Sequence, residues 1–249
     1  MGQLTLELSD NLEAFHLDAL RTIIGSVRGT SHHKLYKESG FTTLSERRRR
    51  HKIILDHKIV TDQVPGYLRE VLPPLVSDNN PYHFRRPFER ESLAWDMVRY
   101  KTSFFPYTTS IWNELPQHIQ SSDSIGQVKQ YLSRDDPPVP LIYYAGKRKE
   151  QIIHCKLRIG MSDLNQDKVN RHIADDPMCA CGKSRENAKH YLLQCLQYEH
   201  IRTHSINTLP IIHRNINTLL NGNPHLTEIE NNNIVRVVHK FITDSSRFV

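Results

Sequence analysis

The sequence predicts a mainly α-helical chain of two modules, an expectation that rests on three observations. Apolar residues recur at three- and four-residue spacing through much of the first 133 positions, as they do along one face of a helix. Glycine is scarce, 10 residues in 249, which argues against a β-barrel or an α/β enzyme with phosphate-cradling turns. A proline-rich stretch, Arg134-Asp135-Asp136-Pro137-Pro138-Val139-Pro140, then divides this half from one that holds all four cysteines. The expected modules are residues 1–133 and 147–249, joined by a stiff linker at 134–146.

Helix signals follow one another along the first module. Asp10-x-x-Glu13 reads as a capping box, with Leu12, Phe15, Leu20, Ile23 and Ile24 at helical spacing until Gly25. A short helix is expected from Ser31 to Ser39, stopped by Gly40. Thr43-x-x-Glu46 caps a third, reaching about Val60. Pro73-Pro74 must interrupt any helix. The aromatic run around Ser103-Phe104-Phe105-Pro106 and Ile111-Trp112 reads as core. A last helix, Asp123 to about Ser133, puts Ile125, Val128 and Leu132 on one face.

The third helix carries Arg47, Arg48, Arg49 and Arg50 in succession. With Leu44, Leu55 and Ile59 as the apolar stripe, Arg48 and His51 fall inside it, while Arg49, Arg50, Lys52 and His57 project away. Two readings stand side by side. One is a solvated face with Arg48 snorkelling over the core. The other is a ridge for nucleic-acid backbones, or a nuclear-import signal, formed by Arg47, Arg49, Arg50 and Lys52 and extended by Arg85, Arg86 and Lys101.

Composition narrows the function classes. The 33 basic and 27 acidic residues leave a net charge of +6, and the pI of about 9.1 suits a polyanionic partner. No window approaches the apolar length of a membrane span. The opening MGQLTLELSD lacks the basic region and apolar run of a secretory signal, so an intracellular location, nuclear or cytoplasmic, is expected. Reduced thiols, and hence metal rather than disulfide, follow from that. GxxxxGK[ST], GxGxxG, HExxH and GxSxG are all missing. The adjacent carboxylates Asp135-Asp136 and Asp175-Asp176 lie beside prolines and read as solvated loop residues, so no catalytic activity is expected.

Chemistry concentrates in one place. Cys179-Ala180-Cys181-Gly182 is followed by His190 and then Cys195, so three thiols and an imidazole lie within seventeen residues. That donor set closes a tetrahedron, as structural zinc requires. Gly182 permits the tight turn that lets near-adjacent thiolates converge. His190 to about Ile201 reads as a helix. Residues five apart lie about 140° around an α-helix, so either His190 sits in a frayed first turn or the helix distorts. Cys155, between Ile153 and Leu157, reads as a buried helix thiol rather than a fifth ligand, and His172 as a non-ligand.

The order of motifs resembles the carboxy-terminal part of the reverse transcriptase polyprotein of non-LTR (LINE-type) retrotransposons. The matching stretches run from Leu20-Arg21-x-Ile23-Ile24-Gly25 and Leu35-Tyr36-x-Glu38-x-Gly40 through Leu44-x-x-Arg47-Arg48 and Val64-Pro65-x-Tyr67-Leu68. Ser103-Phe104-Phe105-Pro106 and Trp112-Asn113-x-Leu115-Pro116 follow. The second half is similar through Leu157-Arg158-x-Gly160-x-Ser162-x-Leu164-Asn165, then the cysteine cluster with Glu186, His190-Tyr191-Leu192-Leu193 and Cys195. The resemblance implies a thumb-like helical region at 1–133 that grips duplex, and a zinc-binding CCHC module at 147–249 that contacts RNA or DNA. It also implies that polymerase activity would need a separate palm domain, because the aspartate pair of the palm motif has no match. No Pro-Asp dipeptide marks a restriction-like endonuclease either. The expectation is therefore a non-catalytic, zinc- and nucleic-acid-binding fragment. The alternative is a zinc-stapled protein-interaction or structural module.

Overall fold

The computed structural model describes residues 6–78, 87–91 and 103–248. It is mainly helical, and among the described residues the β-structure consists of two isolated bridges, Leu75 with Arg90 and Met178 with Arg185. No helix among them is long and apolar enough to cross a membrane.

Helix α1 spans Leu6–Ile24 and ends at Gly25, whose φ of +68° suits a residue without a Cβ. Its start corrects the expected cap at Asp10. The helix is already formed there, and the Glu13 carboxylate instead accepts the backbone N–H of Leu44 at 3.0 Å. Helix α2 (His32–Ser39) stops at the left-handed Gly40, and α3 (Leu44–Val60) is capped by Thr43, whose Oγ1 accepts the Glu46 N–H at 3.1 Å. Both ends follow the sequence signals.

The chain groups into two compact units. The first takes Met1–His16 and Thr42–Asp136. Its core joins Ile53 of α3 to Ile111 and Trp112 of α4 (Phe104–Asn113), then Leu115, Ile119 of the short α5 (Gln117–Gln120), and Val128 and Leu132 of α6 (Ile125–Ser133). Of the aromatic run expected as core, Ile111 and Trp112 supply it, whereas Phe104 and Phe105 are half-buried and lie outside this cluster. Beside it Arg90 and Asp56, both buried, pair at 3.2 Å.

The second unit takes Leu17–Phe41 and Pro137–Val249, so residues 17–41 group with the cysteine-bearing half rather than with the rest of 1–133. Chemistry within the unit explains that grouping. Glu38 of α2 and Arg158 of α7 (Arg148–Ile159) form a buried ion pair at 2.8 Å, and Lys34 donates to the Ile159 carbonyl at 2.7 Å. Nor is 134–146 a free connector. Asp136 is held by Arg50 inside the first unit, while Ile142 and Ala145 are buried among Leu20, Ile24 and Cys155 in the second.

Helix α8 (Asn165–Asn170) precedes the cysteine cluster. After it come α9 (Glu199–Thr203), α10 (Ile216–Asn221) and α11 (Glu228–Asp244), whose Thr227 and Glu230 form a reciprocal capping box. Helices α7 and α11 pack together, and there the buried rings of His154 and His239 meet edge to face with centroids 5.2 Å apart. Burial holds the His154 imidazole well below its usual range, with the charges of His239 and Arg158 adding. Burial lowers His239 too, against the pull of Glu150.

An unfolded histidine titrates near 6.5, so below that pH the unfolded chain takes up protons that the folded chain refuses. Stability therefore falls as the pH drops from about 6.5, by up to roughly 1.4 kcal/mol per pH unit for each such histidine. Denaturant midpoints between pH 7.5 and 5 should show His154→Leu with a shallower acid loss than wild type. Comparing the two slopes cancels the groups remote from this histidine pair, and identical slopes would refute the assignment.

Candidate metal centre

The cluster is built by a hairpin and a distorted helical turn, both within the second unit. Met178 and Arg185 form the antiparallel bridge. Inside it the Cys179 N–H donates to the Ser184 carbonyl and the Gly182 N–H to the Cys179 carbonyl, both at 2.9 Å. Gly182 takes a φ of +69°, where a side chain would be strained, and this lets Cys179 and Cys181 face the same point.

The other two donors come from His190 and Cys195. Asn187 caps this turn: its side-chain oxygen accepts the His190 N–H and its carbonyl the Tyr191 N–H, both at 2.9 Å. Residues His190–Gln194 then form a π-helical turn, closed by the Cys195 N–H on the His190 carbonyl at 2.7 Å. Widening the turn by one residue brings positions i and i+5 to one side. The regular helix expected from His190 to Ile201 is thus a π turn, a 3-10 turn (Leu196–Tyr198) and α9. Helix distortion, rather than fraying, resolves the five-residue spacing.

The ligand atoms of Cys179, Cys181, His190 and Cys195 all lie within 4.8 Å of one another, in a compact Cys3His group able to hold a metal ion. Cys179 and Cys195 Sγ are 3.6 Å apart and Cys181 Sγ is 3.2 Å from His190 Nε2. Tetrahedral zinc with bonds of about 2.0–2.3 Å sets ligand edges at roughly 3.3–3.8 Å, and these two separations lie close to that range. Burial pushes the Cys179 thiol up to about 12, whereas the Lys183 N–H holds Cys181 below its usual range. Burial also lowers His190, leaving the neutral imidazole that a metal needs. Three thiolates this close would repel strongly, and a bound metal cation would make their ionisation favourable.

The hairpin is fastened from outside. Glu186, buried between the second and third ligands, accepts two hydrogen bonds from Arg247 at 2.7 Å each and the Asn165 N–H at 2.9 Å. Asn165 Nδ2 also donates to the Met178 carbonyl at 2.7 Å. Tyr191, fully buried, packs edge-on against Tyr198, Phe241 and Phe248. The turn that carries His190 and Cys195 is therefore part of the unit's core.

Elsewhere the expected site residues are scattered. Cys155 is buried in α7 with Leu20 and Ile142, its thiol pushed up to about 12 by burial, and it is not part of the metal group. His172 is exposed and also outside that group. On α3 the buried face is Ile53, Asp56, His57 and Ile59. Of the apolar stripe read from the sequence, Ile59 lies on it, Leu44 and Leu55 are half-buried, and His51, expected inside the stripe, is exposed. His57, expected to project outward, is buried with Nε2 2.7 Å from the Ser122 carbonyl oxygen.

Arg50 clamps Asp136 through two 2.7 Å hydrogen bonds, Arg49 lies within 3.6 Å of Glu46 and 3.5 Å of Glu114, and Lys52 sits 4.2 Å above the Tyr107 ring. Arg47 alone of that ridge is exposed. Arg85, Arg86 and Lys101 lie outside the described residues. Sequence reasoning passed over Lys183, Arg185 and Lys189, which are exposed around the cluster and in no ion pair among the described residues. Their position between ligands was the available signal. No family model, curated protein or solved structure matches the chain.

Proposed function

We propose that the chain is a non-catalytic nucleic-acid-binding module whose second unit is stapled by a structural zinc ion held by Cys179, Cys181, His190 and Cys195. The observation that carries the reading is the convergence of the four donors within 4.8 Å. Three soft thiolates and an imidazole in closed tetrahedral array favour zinc over hard cations. With every position taken by protein, no site is left for a reactive water. The resemblance to the tail of a non-LTR retrotransposon reverse transcriptase agrees with this. A polymerase palm would then be a separate partner domain.

Contacts to nucleic acid fit the exposed cations Lys183, Arg185 and Lys189 of the cluster, with Arg47 on α3 as a further candidate. They fit the ridge of Arg49, Arg50 and Lys52 less well, because those groups are already engaged. The exposed Ile211, Ile212 and Ile229 favour a second reading, a protein-interaction module.

Fluorescence anisotropy with single-stranded RNA and DNA separates the two. Backbone binding should weaken linearly in log salt, with a slope of about −0.7 to −0.9 per phosphate contact. Changing Lys183, Arg185 and Lys189 together to alanine should shallow that slope by about two units with zinc content unchanged. Absence of binding, or affinity insensitive to salt, rules for the protein-interaction reading.

A further inference from the structure

A cation is buried beside the metal group. Arg202 of α9 is 2% exposed, and its guanidinium donates to the backbone carbonyl of Cys195, itself a ligand residue. A second nitrogen lies 3.5 Å from the Tyr191 carbonyl, next to His190. Among the described residues its one carboxylate partner is Glu199, at 2.7 Å on a side chain 58% exposed. Water screens that charge, so the pair balances a buried guanidinium poorly. Burying an arginine without a buried counterion is costly, which calls for a negative charge close by.

The metal group supplies one. Three thiolates, a neutral imidazole and a divalent ion sum to a single net negative charge, set in a low-dielectric core. We propose that Arg202 is the built-in countercharge of the metal centre, a positioning residue held by the Cys195 carbonyl so that the loaded, singly anionic cluster is neutralised. This rests on the divalent-metal reading above. The residue touches no ligand atom and acts through charge and through the peptide group of Cys195. It accounts for a buried arginine next to the apolar and aromatic cluster that holds Tyr191, Leu192 and Ile206.

The test uses the full chain, with zinc affinity measured by competition against a chromophoric chelator and cobalt(II) spectra reporting geometry. Arg202→Lys keeps the charge, Arg202→Gln keeps hydrogen-bond donors without it, and Arg202→Met keeps only the bulk. If charge is the function, the lysine variant stays within about threefold of wild type. The glutamine and methionine variants should lose about 10- to 100-fold, the range typical for residues that support a metal site from outside it. Cobalt band positions should stay unchanged. Glutamine rescuing as well as lysine, or all three variants matching wild type, overturns the proposal. So does equal failure of all three, folded or not, because that points to guanidinium shape rather than charge. Failure of the wild type itself to bind zinc or cobalt defeats the metal reading instead.

Discussion

Stripping the metal with a strong chelator is expected to unfold the cysteine-bearing core while the first unit keeps its helices. Apparent binding energies for structural zinc are on the order of 10–16 kcal/mol, as large as or larger than the whole stability of a typical domain. The affected region should exceed the hairpin. Cys179, Tyr191, Leu192 and Cys195 share one core cluster with Leu164, Ile234, Val238 and Phe241, so losing the π turn removes packing from α11 as well. The first unit's cluster, from Ile53 to Leu132, contains none of the ligands. Hydrogen exchange by mass spectrometry would show protection lost from about residue 155 onward and retained in α3 and α4. Cys195→Ser should reproduce the effect without chelator. Cys155→Ser, a buried thiol outside the cluster, should cost no more than an ordinary core substitution, about 0.5–3 kcal/mol. Metal analysis finding no zinc in protein prepared without chelators, or unchanged exchange after chelation, would refute this.

The sequence announced some features and concealed others for identifiable reasons. The ends of α2 and α3 were legible because Gly40 and Thr43 act through local backbone chemistry that no distant contact overrides. The convergence of the four donors was legible because their types and tight spacing leave few alternatives. The π turn was not, since helical periodicity assumes the very geometry that the metal group breaks, although the five-residue interval from His190 to Cys195 was the warning. On α3, buried Asp56 and His57 look polar in sequence, and only Arg90 and the Ser122 carbonyl make their burial tolerable. Arg50 looked free for the same reason, with its partner Asp136 lying 86 residues away. Residues 17–41 meet the second unit through Leu20 and Ile24 packing with Cys155 and through Glu38 meeting Arg158, a contact between positions 120 apart. Long-range ion pairs leave no periodic trace, so a single sequence could not show them.

The clamp on the metal hairpin gives the second large expected effect. Glu186 is where three segments meet. Its N–H donates to Pro177, its carbonyl accepts from Gln166, and its carboxylate takes two hydrogen bonds from Arg247 and one from Asn165. Removing one partner of a largely buried pair costs about 3–5 kcal/mol, because the other is left uncompensated. Arg247 is partly exposed, so Glu186→Ala should fall near the lower end, about 3 kcal/mol, in the metal-loaded protein. Burial pushes the Glu186 carboxyl up, but Arg247 and the Asn165 N–H outweigh it and hold the group below the usual carboxylate range. A carboxylate with a depressed folded value stabilises above its unfolded pKa, and that stability is lost as the pH falls through the folded value. Glu186→Gln should therefore be less stable than wild type at pH 7, with the difference narrowing below about pH 4.3. Arg247→Ala and Glu186→Ala break the same ion pair, so the double variant should cost clearly less than the sum of the two single variants. Urea midpoints of the zinc-loaded proteins measure all of this. Fully additive single and double variants would show that Arg247 and Glu186 do not act as a pair.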